Sequence, residues 1–330
     1  MKITKTRKRP DPPRKPKKIM VICVEIGTDN VPFIKLGDHL MRLDLEDLNE
    51  KEAQRAEKEL QETPENVQFA ISKFKEILQA EENLYVPLED ESFLIKFLRP
   101  CRFQPETAAR ILRRFYRFKI KHPKYGKNIT PNSVRHVFDT EVFKFLPTRT
   151  SSGARIMIVN CGEKWNPKKV SLEDMFKAVM VAIEIAMLEP RTQLGGVHVI
   201  LDLVGLSLVH VYQFSPSTAK LILDWVQDCT AVRLKGIHVI NQPILFNMVY
   251  SIFKPFLGDK LKKMLFFHGV NSKSLLENIS KESLPEIYGG TADIPDYPGK
   301  IFADMLFYYQ SDFEVYSTYG YVADTEKARG

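Results

Sequence analysis

The sequence lacks the marks of a membrane-spanning, secreted or disulfide-bonded protein. No apolar run reaches the roughly 18 to 20 residues that cross a bilayer. The run Ile19 to Val24 ends at Glu25, without the cleavage site of a signal peptide. The four cysteines are scattered, with no C-x-x-C pair: Cys23, Cys101, Cys161 and Cys229. Neither a disulfide framework nor a zinc site is indicated, and we expect a cytoplasmic protein.

Motifs for catalysis and for nucleotide binding are also missing. The chain has no G-x-x-x-x-G-K-[ST], no G-x-G-x-x-G after a strand, no G-x-S-x-G and no H-E-x-x-H. Asp202 interrupts an apolar strand, where satisfying a turn or the backbone is favoured over catalysis. The sequence therefore predicts a protein that is not an enzyme and that has no cofactor and no metal.

Three histidines lie in or beside apolar strands, namely His198, His238 and His268. The pattern predicts core histidines that are hydrogen-bonded to neighbours. Metal binding by convergence of the strands is the alternative, although carboxylates are sparse around them.

The positive charge is concentrated in a short N-terminal tail. The whole chain has 48 Lys and Arg against 41 Asp and Glu, a net charge of +7. Residues 1–20 hold nine of the cations and one Asp, a net +8, so the remaining 310 residues carry a net −1. The Lys, Arg and Pro composition of the tail predicts disorder. Its candidate roles are attraction to an anionic membrane or to nucleic acid, nuclear targeting, or a solubilising extension.

Composition and periodicity divide the chain into four parts. Residues 1–46 are predicted to be a basic, disordered extension with two loosely attached β-rich patches, Met20 to Ile26 and Val31 to Leu36. Residues 47–123 are predicted to form an all-helical module, residues 124–293 a ligand-binding domain, and residues 294–330 a C-terminal helical extension. The four helices of the module are Asn49 to Leu60, Glu65 to Gln79, Glu89 to Leu98 and Pro105 to Lys121.

From residue 124 onwards, short apolar strands alternate with helices. The strands are Ala154 to Asn160, Val197 to Leu203, Gly236 to Ile240 and Met264 to Phe267. The helices are Ser171 to Leu188, Ser215 to Cys229 and Ile244 to Leu257. This alternation predicts an α/β fold with a mainly parallel sheet flanked by helices. The helices have more apolar surface than one sheet face requires, so either an internal cavity or a generous core is expected.

The segment Arg233 to Gly269 is the most informative part of the chain. Its helix, Ile244 to Leu257, is apolar almost all round, with polar breaks only at Asn247, Ser251 and Lys254. A surface helix normally has one apolar stripe, so this helix is either buried on both sides or covers an apolar molecule. Cations at both of its ends favour the second interpretation.

Four motifs of this chain resemble the CRAL-TRIO family, which includes carriers of tocopherol and retinaldehyde. They are FLIKFLRPCRF at 93–103, GGVHVILDLVGL at 195–206, GIHVINQPILFNMVYSIFKPFL at 236–257 and LPEIYGGT at 284–291. The resemblance extends from about Glu50 to Asp293, and the closing TYGYVADTEKARG is similar to the C-terminal end of insect-type members.

The resemblance implies an intracellular carrier with the CRAL-TRIO lipid-binding fold, in which a lid helix covers a hydrophobic pocket. The expected ligand is a retinoid, a tocopherol-like molecule, a carotenoid or another lipid. The implied pocket residues are Phe176, Val179, Ile183, Leu201, Ile222, Trp225, Phe246, Tyr250 and Phe253. Val179 and Ile183 stand where the tocopherol carrier has serines, which argues against tocopherol because its buried hydroxyl would lose a partner at a cost of roughly 1–3 kcal/mol.

The resemblance also implies a phosphoinositide headgroup site beside the lid. The matching cations are Arg233, Lys235 and Lys260. Cys101 replaces an arginine of the family motif, so Arg99 or Arg102 is expected to contribute instead. The alternative is a solvated loop and helix end, where lysines also complement the helix dipole.

These expectations imply a monomer that attaches peripherally to phosphoinositide-containing membranes, with endosomes as a candidate, and that has no nucleic-acid partner. The rival hypothesis is a phosphoinositide-binding trafficking adaptor that transports no ligand.

Overall fold

The computed structural model describes residues 22–322, so the basic tail, predicted to be disordered, lies outside the described residues. The strands are β1 Val24–Ile26, β2 Pro32–Leu36, β3 His39–Arg42, β4 Leu84–Tyr85, β5 Phe143–Arg149, β6 Arg155–Asn160, β7 Val197–Asp202, β8 Leu234–Ile240, β9 Leu265–Gly269 and β10 Gly320–Tyr321. The helices are α1 Glu50–Leu60, α2 Pro64–Gln79, α3 Glu91–Leu98, α4 Pro105–Lys121, α5 Arg135–Phe138, α6 Leu172–Ala186, α7 Pro190–Gly195, α8 Leu208–Val211, α9 Pro216–Asp228, α10 Phe246–Phe253, α11 Asp259–Lys262, α12 Ser272–Leu276, α13 Gly299–Phe307 and α14 Gln310–Tyr316.

The central sheet has five strands in the order β5-β6-β7-β8-β9. Strands β6 to β9 pair in parallel, with Ile158 opposite Ile200 and Ile200 opposite His238. The prediction of an α/β fold with a mainly parallel sheet is thereby confirmed. Strand β5, which the sequence analysis missed, pairs antiparallel at one edge and contains Pro147. Proline has no amide donor, and it is tolerated on an edge strand because that position can face the open side of the sheet.

The two faces of this sheet are covered in different ways. Neighbouring parallel strands are consecutive in sequence, and right-handed crossovers then place all the connecting helices on one side, which we call the helical face. There, α6 and α9 contribute Phe176 and Trp225 to a core shared with Leu201 of β7. On the opposite, reverse face, Ile156, Ile158, Ile200 and Ile240 pack against Leu275, Ile279, Leu284 and Tyr288.

Residues 22–46 correct one prediction. They are not a disordered or loosely attached extension, because β1, β2 and β3 form a three-stranded antiparallel sheet. Ile34, Leu36 and Met41 are buried in the same core as α6. The loop Gly37-Asp38 joins β2 to β3, with Gly37 at φ +60°. Glycine at the first position of a two-residue hairpin loop is the signal that could have revealed this sheet.

The helices of residues 50–121 begin and end where sequence signals place them. Asn49 caps α1 by accepting from the Glu52 amide, Thr63 caps α2, and Pro64 and Pro105 occupy first-turn positions. α2, α3 and α4 pack around Phe74, Leu94 and Leu112. The apolar spacing of each helix is therefore enough to build this core.

The C-terminal segment joins this helical module to the sheet domain. α13 places Phe302 and Leu306 in the core that contains α6. β10 pairs antiparallel with β4, and Tyr319 meets the ring of Phe93 at 5.7 Å between centroids. Within residues 22–322, no helix combines the length and the apolar character needed to span a membrane.

Candidate functional site

The predicted lid helix is shorter than its sequence pattern indicated. Instead of running from Ile244 to Leu257, α10 covers Phe246–Phe253 and passes into a 3₁₀ turn at Lys254–Phe256. Pro255 lies in that turn, and a proline removes an amide donor from a continuing α-helix. No side chain caps the N-terminus of α10. A two-turn helix without a cap is marginal by itself, so α10 depends on its packing against neighbours.

The inner side of α10 is aromatic and only half buried. Phe246 and Tyr250 meet Phe267 of β9 at 6.0 and 5.3 Å between ring centroids. Phe253 meets Phe214 edge-on at 5.5 Å. Val249 is the one buried residue of this helix. The three aromatic residues predicted for the lid therefore all face the domain, but none is fully enclosed.

The C-terminal end of the lid is held by a side chain that sequence reasoning missed. Gln227 of α9 accepts from the amide of Gly258 at 2.7 Å and donates to the carbonyl of Phe256 at 3.2 Å. These two hydrogen bonds join the end of the 3₁₀ turn to α9. No local sequence pattern predicts such a contact, because it depends on how two segments that are distant in sequence pack together.

The remaining predicted pocket residues come together beneath the lid. Phe176 and Trp225 are buried in one apolar cluster, 5.5 Å apart between ring centroids. Val179, Ile183, Leu201 and Ile222 pack against the same cluster. Leu201 also contacts the cluster of Phe246, and Val226 joins it to the cluster of Tyr250 and Phe253. The nine predicted residues thus lie along one continuous apolar layer.

Two small cavities flank this layer on either side of Ile183. One has a volume of about 40 Å³ and is lined by Ile183 and Trp225 together with residues of α3 and α4. The other, also about 40 Å³, is lined almost entirely by apolar groups, among them Met157, Ile185 and Phe302. Pockets for small molecules usually measure about 300–1,000 Å³. These two cavities are therefore too small for such a molecule in the conformation described.

The outer side of the lid exposes apolar side chains. Ile244 is 83% exposed and Met248 is 48% exposed. Helix α8, which contacts α10, adds Leu208 and Val209, and Tyr212, which directly follows α8, is 75% exposed. We call these five residues the apolar patch. The part contributed by α8 was missed from the sequence, because a four-residue helix is too short to show a periodicity.

Two of the cations predicted for phosphoinositide binding are held by internal partners. Arg99 is buried and donates to both oxygens of Glu62 at 2.6–2.9 Å and to Gln193 at 2.6 Å. Arg233 donates to the carbonyl of Leu194 at 2.6 Å and lies 3.3 Å from a Glu59 oxygen. Both guanidinium groups therefore join the helical module to the sheet domain, which lowers their availability to a phosphate.

The other predicted cations are more accessible. Lys260 and Arg102 are exposed, and neither has an ion pair within the described residues. Burial raises the pKa of the Cys101 thiol to about 11, against the opposing charges of Arg110 and Lys260. Those two cations thus lie within electrostatic reach of Cys101, and Arg110 was not predicted. Lys235 is half buried, and burial, followed by the charge of Arg233, lowers its pKa.

The three strand histidines form a chain of hydrogen bonds on the reverse face. His198 Nδ1 lies 2.9 Å from His238 Nε2, His238 Nδ1 lies 3.0 Å from His268 Nε2, and His268 Nδ1 lies 2.8 Å from Ser274 Oγ. Burial lowers the pKa of His198 to about 4 and of His238 to about 3. The predicted core role is confirmed. Residues 22–322 contain no group of three or more His, Cys, Asp or Glu placed to hold a metal ion.

Comparisons with known proteins agree with this geometry. Residues 139–290 match the family model of the CRAL/TRIO domain. Alpha-tocopherol transfer protein-like from Mus musculus is 28% identical over 245 residues, covering 74% of this chain and 71% of the relative. The Homo sapiens protein of that name is 29% identical over 246 residues, with the same coverage. Clavesin-1 from Mus musculus is 27% identical over 246 residues, covering 74% of this chain and 69% of its own.

Proposed function

We propose that the protein is a carrier of a hydrophobic small molecule, because residues 139–290 match the family model of the CRAL/TRIO domain and proteins of that family bind and transfer lipophilic ligands. The ligand would lie between α6, α9 and α10, and it would be exchanged at phosphoinositide-containing membranes. The continuous apolar layer beneath a short, weakly capped lid helix is the observation that carries this proposal.

Loading the ligand requires the lid to move away from the sheet. Phe246, Tyr250 and Phe253 are half buried, so their displacement exposes less new apolar surface than that of fully buried rings would. A lipid in their place would restore the lost contacts at about 25 cal/mol per Å² of apolar surface. The lid can then exchange one set of apolar contacts for another at a modest net cost.

The outer surface of the lid suits a membrane. The apolar patch of Ile244, Met248, Leu208, Val209 and Tyr212 would enter the boundary between headgroups and acyl chains. Lys260 and Arg102 would meet anionic headgroups beside it, together with Lys235 once the lid has moved. Contact with the bilayer and opening of the lid would thus occur at the same surface.

Transfer of a fluorescent lipid between two vesicle populations tests the carrier proposal. Phe253→Asp places a carboxylate against Phe214 and is expected to reduce the transfer rate at least tenfold, because a charge is costly in an apolar contact. Phe69→Asp is the matched control, since Phe69 is an exposed ring on α2 and its substitution should leave transfer unchanged. Unchanged transfer by a folded Phe253→Asp variant would contradict the lid model.

The small volume of the cavities supports a second candidate, an adaptor that reads phosphoinositides and transports nothing. In that case the apolar layer would be permanent core and α10 would not open. Vesicle binding would persist while no lipid would be extracted or transferred. Measuring binding and transfer on the same preparation separates the two candidates.

A further inference from the structure

The cavity lined by Ile183, Trp225 and residues of α3 and α4 lies beside the apolar layer, yet charged side chains form part of its wall. Lys96 of α3 and Lys119 of α4 line it, facing Glu184 of α6 and Trp225 of α9. Tyr316 closes it from the C-terminal segment. We call this space the lysine cavity. Five elements of the chain thus meet at the edge of the apolar layer, and two of them, α3 and α4, each contribute a cation.

The lysine cavity has more hydrogen-bond donors than acceptors. Within residues 22–322, the ammonium of Lys96 has no hydrogen-bond acceptor and is held only against aromatic rings, at 5.0 Å from the Tyr316 centroid and 5.3 Å from that of Phe93. The indole N–H of Trp225, a residue only 2% exposed, also has no partner in the described part of the chain. Buried donors normally find acceptors, so the enclosed indole N–H indicates a missing one, while Lys96 beside it is only partly buried.

The charges around the lysine cavity do not balance. Lys119 lies 3.6 Å from Glu184, and both side chains are nearly enclosed, at 13% and 12% exposure. Lys96 is left as the second cation, and burial followed by the repulsion of Lys119 lowers its pKa, while Glu184 and Asp90 raise it. Asp90 does not line the cavity, because its carboxylate caps α3 at the Phe93 amide. The cavity thus carries one uncompensated positive charge.

The dimensions of the cavity favour a small anion with an apolar chain attached. A volume of about 40 Å³ corresponds to roughly three water positions, which suits a carboxylate but not a phosphorylated sugar headgroup. Ile183 and Trp225 form the opposite wall, and both belong to the apolar layer under the lid. A chain leaving the cavity along these two residues would enter that layer directly.

We propose that the lysine cavity receives the carboxylate of a long-chain carboxylic acid, which Lys96, Lys119 and the indole N–H of Trp225 bind, while its hydrocarbon chain lies along Ile183 and Trp225. The proposal rests on the carrier function and adds the ligand class. The charge of the ligand restores neutrality in the cavity, and its oxygens supply the missing acceptors. An ordered water is the competing occupant, and it would give no preference for an anion.

Binding of parinaric acid, a long-chain polyene acid that fluoresces when bound to protein, tests the site against its uncharged methyl ester at pH 7. The full chain is expected to bind the acid roughly tenfold more tightly than the ester, as a charge-assisted hydrogen bond implies. Lys96→Met should weaken binding of the acid about tenfold and leave that of the ester within twofold. Lys121→Met, an exposed lysine at the end of α4, is the matched control and should change neither.

Glu184→Gln separates the proposed role from a loss of folding. Unfolding would weaken binding of the acid, whereas this variant is expected to strengthen it. Removing this carboxylate frees Lys119, so the acid should bind several-fold more tightly while the ester is unaffected. Equal affinity of the wild type for acid and ester, or a ratio that neither variant changes, would overturn the carboxylate site and leave the carrier function standing. Failure of the folded wild type to bind either probe would overturn both.

Discussion

The two faces of the central sheet share the same strands but differ in how tightly their side chains are packed. On the reverse face, Ile200 and His238 are completely buried, and each strand histidine has a hydrogen-bonded neighbour. On the helical face, the aromatic residues of α10 are half exposed, two small cavities remain, and the indole of Trp225 lacks a partner in the described residues. The reverse face is therefore tightly packed and hydrogen-bonded. The helical face contains cavities and a hydrogen-bond donor without an acceptor in the described residues.

This difference indicates where the molecule can move. Tight packing and satisfied polar groups give a face one low-energy arrangement. Half-exposed aromatic contacts and the missing N-terminal side-chain cap lower the free-energy cost of displacing α10 from its neighbours. The proposed function accordingly uses the reverse face as a fixed support and the helical face as the ligand site.

The largest effect is expected from a cavity made in the support. Ile200→Ala removes a fully buried side chain from the cluster of Leu275 and Leu284, and it should lower the free energy of unfolding by about 2–5 kcal/mol. Urea denaturation checks this value. Lipid transfer by the folded variant should stay within twofold of wild type. A large loss of transfer at full folding would break the division of roles between the faces.

Acidic pH should lower the free energy of unfolding, because the buried histidines of the reverse face must then take up protons. Burial depresses the folded-state pKa of His198 to about 4 and of His238 to about 3, from 6.5 in the unfolded chain. The unfolded chain therefore binds more protons in this window, and stability falls as pH drops from about 6.5 towards 4. Denaturation at each pH measures this loss.

Substitution of one histidine identifies the source of this loss. His238→Gln should flatten the dependence between pH 6.5 and 4.5, a range above the acid titration of Glu189, whose pKa lies at about 2 because burial is outweighed by Arg155. His39→Gln, which leaves the chain of histidines intact, is the control and should keep the wild-type slope. An unchanged slope in the His238 variant would mean that other groups govern acid stability.

The smallest effect on stability is expected at the accessible cations beside the lid. Arg102→Ala combined with Lys260→Ala should change the free energy of unfolding by less than about 0.5 kcal/mol, because both side chains are exposed. Binding to vesicles that contain phosphoinositides should nevertheless weaken several-fold, as measured by vesicle sedimentation. The control double variant, Lys51→Ala with Lys58→Ala, removes two exposed lysines of α1. If both double variants lost vesicle affinity equally, the binding would depend on overall charge and not on a site beside the lid.

The sequence was sufficient for those parts of the fold that depend on local patterns. Apolar spacing and capping residues located α1 to α4 nearly to the residue, and the apolar strands indicated the parallel sheet. The β-rich patches of residues 22–46 were predicted, but their firm packing was missed because the strands are short and their partners are distant in sequence. The length of α10 was overestimated because its apolar run continues through Pro255.

The candidate site was predictable only in part, for a related reason. The family resemblance implied Phe176, Val179 and Ile183 of α6 as pocket residues, and they lie in one apolar layer. The contacts of Arg99 with Gln193 and of Arg233 with Glu59 depend on how two modules meet, which no local pattern records. The same holds for Lys96, whose setting combines α3 with α6 and the C-terminal segment.

Native mass spectrometry of the full chain, repurified after incubation with a total lipid extract, tests the central claim most directly. The carrier function predicts a complex of one chain with one lipid, and organic extraction of the same sample should recover that lipid in equal amount. Only the bare mass of the chain, with no lipid in the extract, would contradict it.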